Sequence, residues 1–267
     1  MFGVPGLKKR FCGSVRLGGV FILLAAAATL FPHESFAQLR DEEYIRRHAQ
    51  PYISRFLKEL KAYERDLPKA KSGRRAALTR LSRVCFNLGE LTEHRHRLAW
   101  YEKGKSFAEI LVKEEPGRVE GHYWLGTNLG GMAEVGGAGL ALQTLPELVK
   151  IFAKAASIDP VYDQAGAHRS LGGIFGQAPA WPISVGDLNK SLHHLALAVQ
   201  IAPENSTNHL FLGYTLMQMG RSAEARAALQ RVFEATAHSV WPPGVEHDRR
   251  EARRLLKELD AADNGKS

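Results

Sequence analysis

The stretch that decides the fold is His209-Leu-Phe-Leu-Gly-Tyr-Thr-Leu-Met-Gln-Met-Gly-Arg-Ser-Ala-Glu-Ala-Arg-Ala-Ala-Leu-Gln-Arg-Val232. Its apolar residues recur at helical spacing, Gly220 interrupts them, and the spacing resumes, which predicts two helices joined by a tight turn. Gly213 and Ala225 stand where the two helices would cross, because axes approach closely only where no bulky side chain intervenes. The opening pattern His-x-x-Leu-Gly occurs twice more upstream, at His122 to Gly126 and at His168 to Gly172. A proline precedes each histidine by six to eight residues, as Pro116, Pro160 and Pro203, and each closes an apolar helical segment.

Outward from these units the same periodicity continues. It covers 44–67, 76–91, 98–112 and 188–199, with no long alternating run of the kind a strand requires. The fold class is therefore all-α. Pro51 is expected to break or kink the first of these helices, since it lacks an N–H donor and disfavours a helical residue before it. The chain has 267 residues, 24% charged and 45% hydrophobic, which excludes disorder and collagen-like repetition. Nothing after residue 38 reads as a flexible linker, so 38–267 is expected to form one body.

The units resemble the tetratricopeptide repeat (TPR), whose period is about 34 residues and whose first helix carries a Leu-Gly pair. The last unit is the best match, with Leu212 and Gly213 in that pair, Ala225 at the crossing, Leu229 and Val232 beyond it, and Gly220 in the turn. The chain departs from the family in carrying His122, His168 and His209 where an aromatic residue is usual, and in the longer spacing of two units. The resemblance implies an α-solenoid of antiparallel helical hairpins: N-terminal helices over 38–84, repeats over about 85–118, 119–163, 164–204 and 205–237, and a capping helix with a tail over 238–267. The weaker first unit rests on Leu88, Leu91, Gly104 and Ala108. Two inserted stretches, Gly-rich 130–139 and Pro-flanked 178–187, together with the phrases around Tyr123-Trp124-Leu125-Gly126 and Trp181-Pro182, are similar to secreted TPR proteins of the TatT type. Some of that group accompany the solute-binding subunit of a TRAP transporter.

Stacked hairpins curve into a superhelix with a concave binding surface. By analogy with the repeat, that face is expected to carry Phe86, Gly89 and Glu93, then Tyr123 and Thr127, Arg169 and Gln177, and finally Leu210, Tyr214, Met217 and Gln218. Gly130, Gly131, Gly173 and Gly176 would leave room for a peptide or a small ligand, or else serve only helix ends and turns. Arg169 is either a bidentate clamp for a carboxylate or an internally paired arginine. Trp181, between Pro179 and Pro182, is either an anchor for a partner or a lid folded on the core. Asp187 is placed to cap the helix beginning at Leu188.

Catalytic chemistry finds no motif. The chain has no His-Glu-x-x-His, no Gly-x-Ser-x-Gly, no phosphate-binding Gly-x-x-x-x-Gly-Lys and no paired-cysteine spacing. His193-His194 and His94-Arg-His96 do not share a helical face, whereas Glu90 and His94 do, as an incomplete pair. No catalytic residue, metal or cofactor is expected. The Arg-rich 248–259 reads as an amphipathic cap with Ala252, Leu255, Leu256 and Leu259 on its apolar side. Its interspersed Asp248, Glu251, Glu258 and Asp260 argue against a membrane surface, and the mixed charge argues against nucleic acid.

The first 37 residues read as a leader: Lys8, Lys9, Arg10 and Arg16, an apolar run over 20–31, and small residues before a cut near Ala37. The run is too short to span a bilayer. Cutting there removes four of the 36 basic and one of the 28 acidic side chains, so the formal charge of +8 falls to +5. It also removes Cys12, leaving Cys85 as a lone thiol best placed in a core. The sequence thus suggests an exported, periplasmic or extracytoplasmic scaffold, soluble after cleavage, that binds another envelope protein. The alternative is a transport accessory that holds a small organic solute, such as an acid, in a pocket made by Tyr123, Arg169 and the inserted glycines.

Overall fold

The computed structural model describes residues 42–67, 73–238 and 240–264. The expected leader lies outside the described residues. Among those residues there are eleven α-helices: α1 (Glu42–His48), α2 (Gln50–Asp66), α3 (Arg74–Leu91), α4 (His94–Glu114), α5 (Val119–Val135), α6 (Ala138–Ile158), α7 (Tyr162–Gln177), α8 (Leu188–Ile201), α9 (Ser206–Gln218), α10 (Ser222–Arg231) and α11 (Gly244–Asn264). None is long and apolar enough to cross a membrane. Pro51 occupies the first turn of α2, where its missing N–H costs nothing, and the chain breaks before it at Ala49.

Four antiparallel hairpins, α3/α4, α5/α6, α7/α8 and α9/α10, stack in chain order. The first helices of successive hairpins also touch one another, which places α3, α5, α7 and α9 on the inner side of the curve. The glycine of each Leu-Gly pair makes the hairpins close. A Cβ on Gly126, Gly172 or Gly213 would overlap Phe152, Leu195 or Leu229 of the partner helix. The equivalent contact recurring in three hairpins is the physical content of the repeat.

The first hairpin begins at Arg74 rather than near 85. It is hidden in the sequence because Ser82 stands in the glycine's place. Ser82 is fully buried and donates from Oγ to the Gly104 carbonyl at 2.7 Å, while a Cβ on Gly104 would overlap Asn128 of α5, the first helix of the next hairpin. The Gly-rich stretch 130–139 is not a loop. It completes α5, turns at Gly137 with φ 84°, a conformation that favours glycine, and starts α6.

Two of the repeat histidines act alike. His122 and His209 each bring Nε2 within 2.8 Å of the carbonyl of the proline six residues upstream, Pro116 and Pro203. This bond ties the start of a hairpin to the end of the previous one. His168 stands eight residues after its proline, and its Nδ1 lies instead 3.0 Å from Nδ1 of His194 on α8. Burial and the neighbouring imidazoles push His194 down to about 4. Cys85 is buried in the core formed by α1, α2 and α3, and burial pushes its thiol up to about 12.

Candidate functional site

The expected inner-face residues do not line an open groove. Tyr123 (3% exposed), Arg169 (7%), Leu210 and Tyr214 are buried. Thr127, Met217 and Gln218 are half-buried, with Thr127 donating from Oγ1 to the Tyr123 carbonyl, and Gln177 is exposed. Leu210 and Tyr214, with Met217 beside them, are covered by Ala252, Leu255 and Leu259 of α11. The amphipathic C-terminal helix therefore packs on the inner helix α9 as well as on α10. Asp248 belongs to its buried side, accepting from Ser206 Oγ (2.5 Å) and Thr207 Oγ1 (2.8 Å). Sequence periodicity had put this carboxylate on the polar face.

Farther along the inner side, the link between α10 and α11 crosses from the last hairpin to the first. Thr236 and Ala237 donate their amides to the Glu204 carbonyl (3.0 and 2.9 Å), and Ser206 N–H donates to the Ala237 carbonyl at 3.0 Å. His238 is half-buried, with its Nε2 3.9 Å from the Asp248 carboxylate of α11, and it feels the charges of His247, Arg169 and Glu90. Its Nδ1 accepts from the amides of Val240 (3.1 Å) and Trp241 (3.4 Å). Trp241, 5% exposed, enters the core of Phe56, Leu60, Leu81, Val84 and Leu88, with Tyr44 and Tyr52 edge-on to it. Tyr44 donates its hydroxyl to the Pro243 carbonyl at 3.1 Å, and the Arg250 guanidinium lies over the Tyr44 ring. The chain's own C-terminal part thus fills the inner face from α9 to α3.

Arg169 is held from inside. Its guanidinium donates to the Gln164 carbonyl and to Asn208 Oδ1, both at 3.1 Å, and lies 3.5 Å from the Asp163 carboxylate. Tyr123 donates to that same carboxylate at 2.6 Å. Burial and Asp163 together push the Tyr123 phenol well above its ordinary value. Asp163, Gln164 and Ala165 have φ of 50°, 57° and 61°. A left-handed residue other than glycine costs on the order of 1–2 kcal/mol, so three in a row persist only because the surroundings hold them. Sequence reasoning brought Tyr123 and Arg169 together but missed the carboxylate that joins them.

A second buried network sits between the first two hairpins. Arg97 donates to the Gly89 carbonyl (3.1 Å), Tyr101 OH and Glu134 Oε1 (both 3.0 Å), while Tyr101 donates to Glu90 Oε1 at 2.5 Å. The Glu90 expected beside His94 on a helix surface is thus committed to Tyr101.

Trp181 resolves the other way. It is 84% exposed and Ile183 is 58% exposed, so the loop projects rather than folding back. The loop is closed at its base: Gly186 N–H donates to the Pro179 carbonyl (2.9 Å) and Asp187 N–H to the Phe175 carbonyl (2.8 Å). Gly186 is required there because a Cβ would overlap the Ala178 carbonyl. The Trp181–Pro182 peptide bond is cis. Asp187 then caps α8, accepting from the amides of Asn189 (3.0 Å) and Lys190 (3.1 Å). These bonds to the ionised form hold its carboxyl below the usual value. The result is an apolar knob, tied at its base, that projects into solvent between α7 and α8.

Among the described residues no cluster of three or more His, Cys, Asp or Glu is arranged to hold a metal. An open cleft of about 640 Å³ lies instead between α1 and the α3–α4 turn, over Ile45, Ala49, Ile53 and Leu91, with Arg46 and Glu93 at its rim.

No curated protein matches the chain. Among solved structures, a thermophilic TPR protein of Thermus thermophilus is similar, with a TM-score of 0.56 and 19% identity over 81% of this chain and 100% of that one. That likeness shows a shared fold. A TPR family model matches residues 183–241, which hold α8 and the last hairpin, so the protein is a TPR-type repeat protein. Residues 38–172, just over half of the chain, match the family model described as regulator of microtubule dynamics protein 1-3, and the chain therefore belongs to that family.

Proposed function

We propose that this protein is an exported, non-catalytic scaffold that binds a protein partner through the knob carrying Trp181 and Ile183. TPR-type folds generally serve protein–protein interaction, and the single observation that carries the assignment is the exposure of a large aromatic on a loop closed at its base. An exposed tryptophan costs little to bury on binding when its loop is already ordered, and such residues concentrate interface energy. Export is supported by the leader pattern and by the family match beginning at residue 38, just after the expected cut. The family's description names regulation of microtubule dynamics, and the scaffold reading rests instead on the TPR-type fold, with a partner in the cell envelope.

The solute-holding reading has less to stand on. A ligand carboxylate between Tyr123 and Arg169 would need the place that Asp163 already fills. The experiment is affinity capture from the source cell envelope by wild-type and Trp181→Ala chains. Wild type should retain a defined partner that Trp181→Ala loses. Equal recovery by both would remove the knob from the account.

A further inference from the structure

The histidine of the third hairpin is used differently from its two counterparts. His122 and His209 commit Nε2 to the carbonyl of the proline six residues upstream, whereas His168, two residues farther from Pro160, turns Nδ1 to Nδ1 of His194 on α8. The two nitrogens are 3.0 Å apart and the ring planes are tilted by 33°. The Phe175 ring fixes the orientation of His194, stacked on it at 5.8 Å and 10°. Both imidazoles are half-buried and the adjoining His193 is exposed, so solvent reaches the pair from one side. Burial first, and then the neighbouring imidazoles, lower the proton affinity of both rings. The neutral ring is the form that binds a metal.

We propose that His168 and His194 form a two-imidazole site for a divalent first-row metal ion of the class that imidazole favours, with copper bound most tightly, then nickel and zinc. A metal–nitrogen bond of about 2.0–2.1 Å puts two bound nitrogens about 2.9 Å apart at a right angle and about 3.3 Å apart at the tetrahedral angle. The observed 3.0 Å falls in that interval. In the hydrogen bond one Nδ1 carries the proton and the other accepts it. On metal binding that proton moves to Nε2 of the same ring by exchange with water, so both rings stay neutral and each presents an Nδ1 lone pair. Small ring rotations then turn both lone pairs onto the ion. Water completes the coordination from the exposed side, because among the described residues no group of three or more His, Cys, Asp or Glu gathers there. The ion joins α7 to α8, the hairpin whose connection carries Trp181. The site does not depend on what the knob binds.

The probe is copper(II) chloride, titrated at pH 7 into the full-length chain in competition with glycine and followed by electron paramagnetic resonance. Wild type should hold a copper ion whose spectrum carries the splitting of two imidazole nitrogens. His168→Gln and His194→Gln should bind it at least ten-fold more weakly, and His193→Gln should match wild type. Equal affinity in wild type and His168→Gln overturns the proposal, and so does an equal loss in His193→Gln, which would make the assigned pair wrong. Should a variant not fold, nuclear magnetic resonance of the wild type decides. Copper(II) below one equivalent should broaden the amides around His168 and His194 before those around the exposed His94 and His96. Broadening that starts at 94–96 would place the copper on surface histidines and overturn the assignment.

Discussion

Glycine makes the sharpest test of the repeat at the scale of the residue. Gly172 faces Leu195 across the hairpin with no room for a Cβ, whereas Gly130 has nothing within 4 Å of that position. Gly172→Val should therefore destabilise by about 3 kcal/mol through overpacking. Gly130→Ala should stabilise by about 0.5–1 kcal/mol by stiffening the unfolded chain and improving helix propensity. Thermal melts of the two variants should move in opposite directions. His238 gives a second test. Burial, opposed by Asp248 and reinforced by Arg169 and His247, depresses its pKa below the ordinary 6.5. A depressed histidine contributes stability that is complete above about 6.5 and is lost as pH falls, because the released form takes the proton. A proton on Nδ1 would also cancel its bonds to the Val240 and Trp241 amides. Lowering the pH from 7 to 5 should expose Trp241 to acrylamide quenching in wild type. His238→Asn, which keeps an acceptor and has no such titration, should stay quench-resistant.

Elements and their junctions show what periodicity reads well and what it cannot see. Three of the four hairpins were legible because Leu-Gly, the turn and the closing proline recur in register. The first was hidden because Ser82, bonded to the Gly104 carbonyl, stands where the other first helices carry the glycine of Leu-Gly. The left-handed turn at 163–165 was illegible for another reason: no glycine or asparagine occupies it, and it is held by Arg169 of its own helix, by Tyr123 of α5, and by Asn205 and Asn208 at the start of α9. Arg169→Leu should leave Asp163 buried beside Tyr123 without its cation and cost on the order of 3 kcal/mol, read as a lower midpoint in urea. Trp181→Ala should do the opposite. At 84% exposure its removal should change stability by less than about 0.5 kcal/mol, while abolishing partner recovery.

Over the whole molecule, composition and pattern sufficed for an all-α solenoid, and the family and structural matches agree with that. What the sequence could not show is that the solenoid closes on itself. Contacts between α1 near residue 44 and α11 near residue 250 depend on the summed rotation of four hairpins, a quantity no local pattern carries. This closure moves the expected inner-face site residues, Tyr123, Arg169, Leu210 and Tyr214, from a groove wall into the interior, and leaves Trp181 as the exposed aromatic of the expected site. One tryptophan is thus presented outward while another plugs the inner face. All four tryptophans, Trp100, Trp124, Trp181 and Trp241, can be replaced biosynthetically by 5-fluorotryptophan and assigned by Trp→Phe variants. Adding a soluble gadolinium chelate at pH 7 and recording ¹⁹F relaxation then reads their exposure in one measurement. The Trp181 resonance should broaden strongly and that of Trp241 should change little. Broadening of Trp241 to the same degree as Trp181 would mean that the inner face is open, and would contradict the closed arrangement.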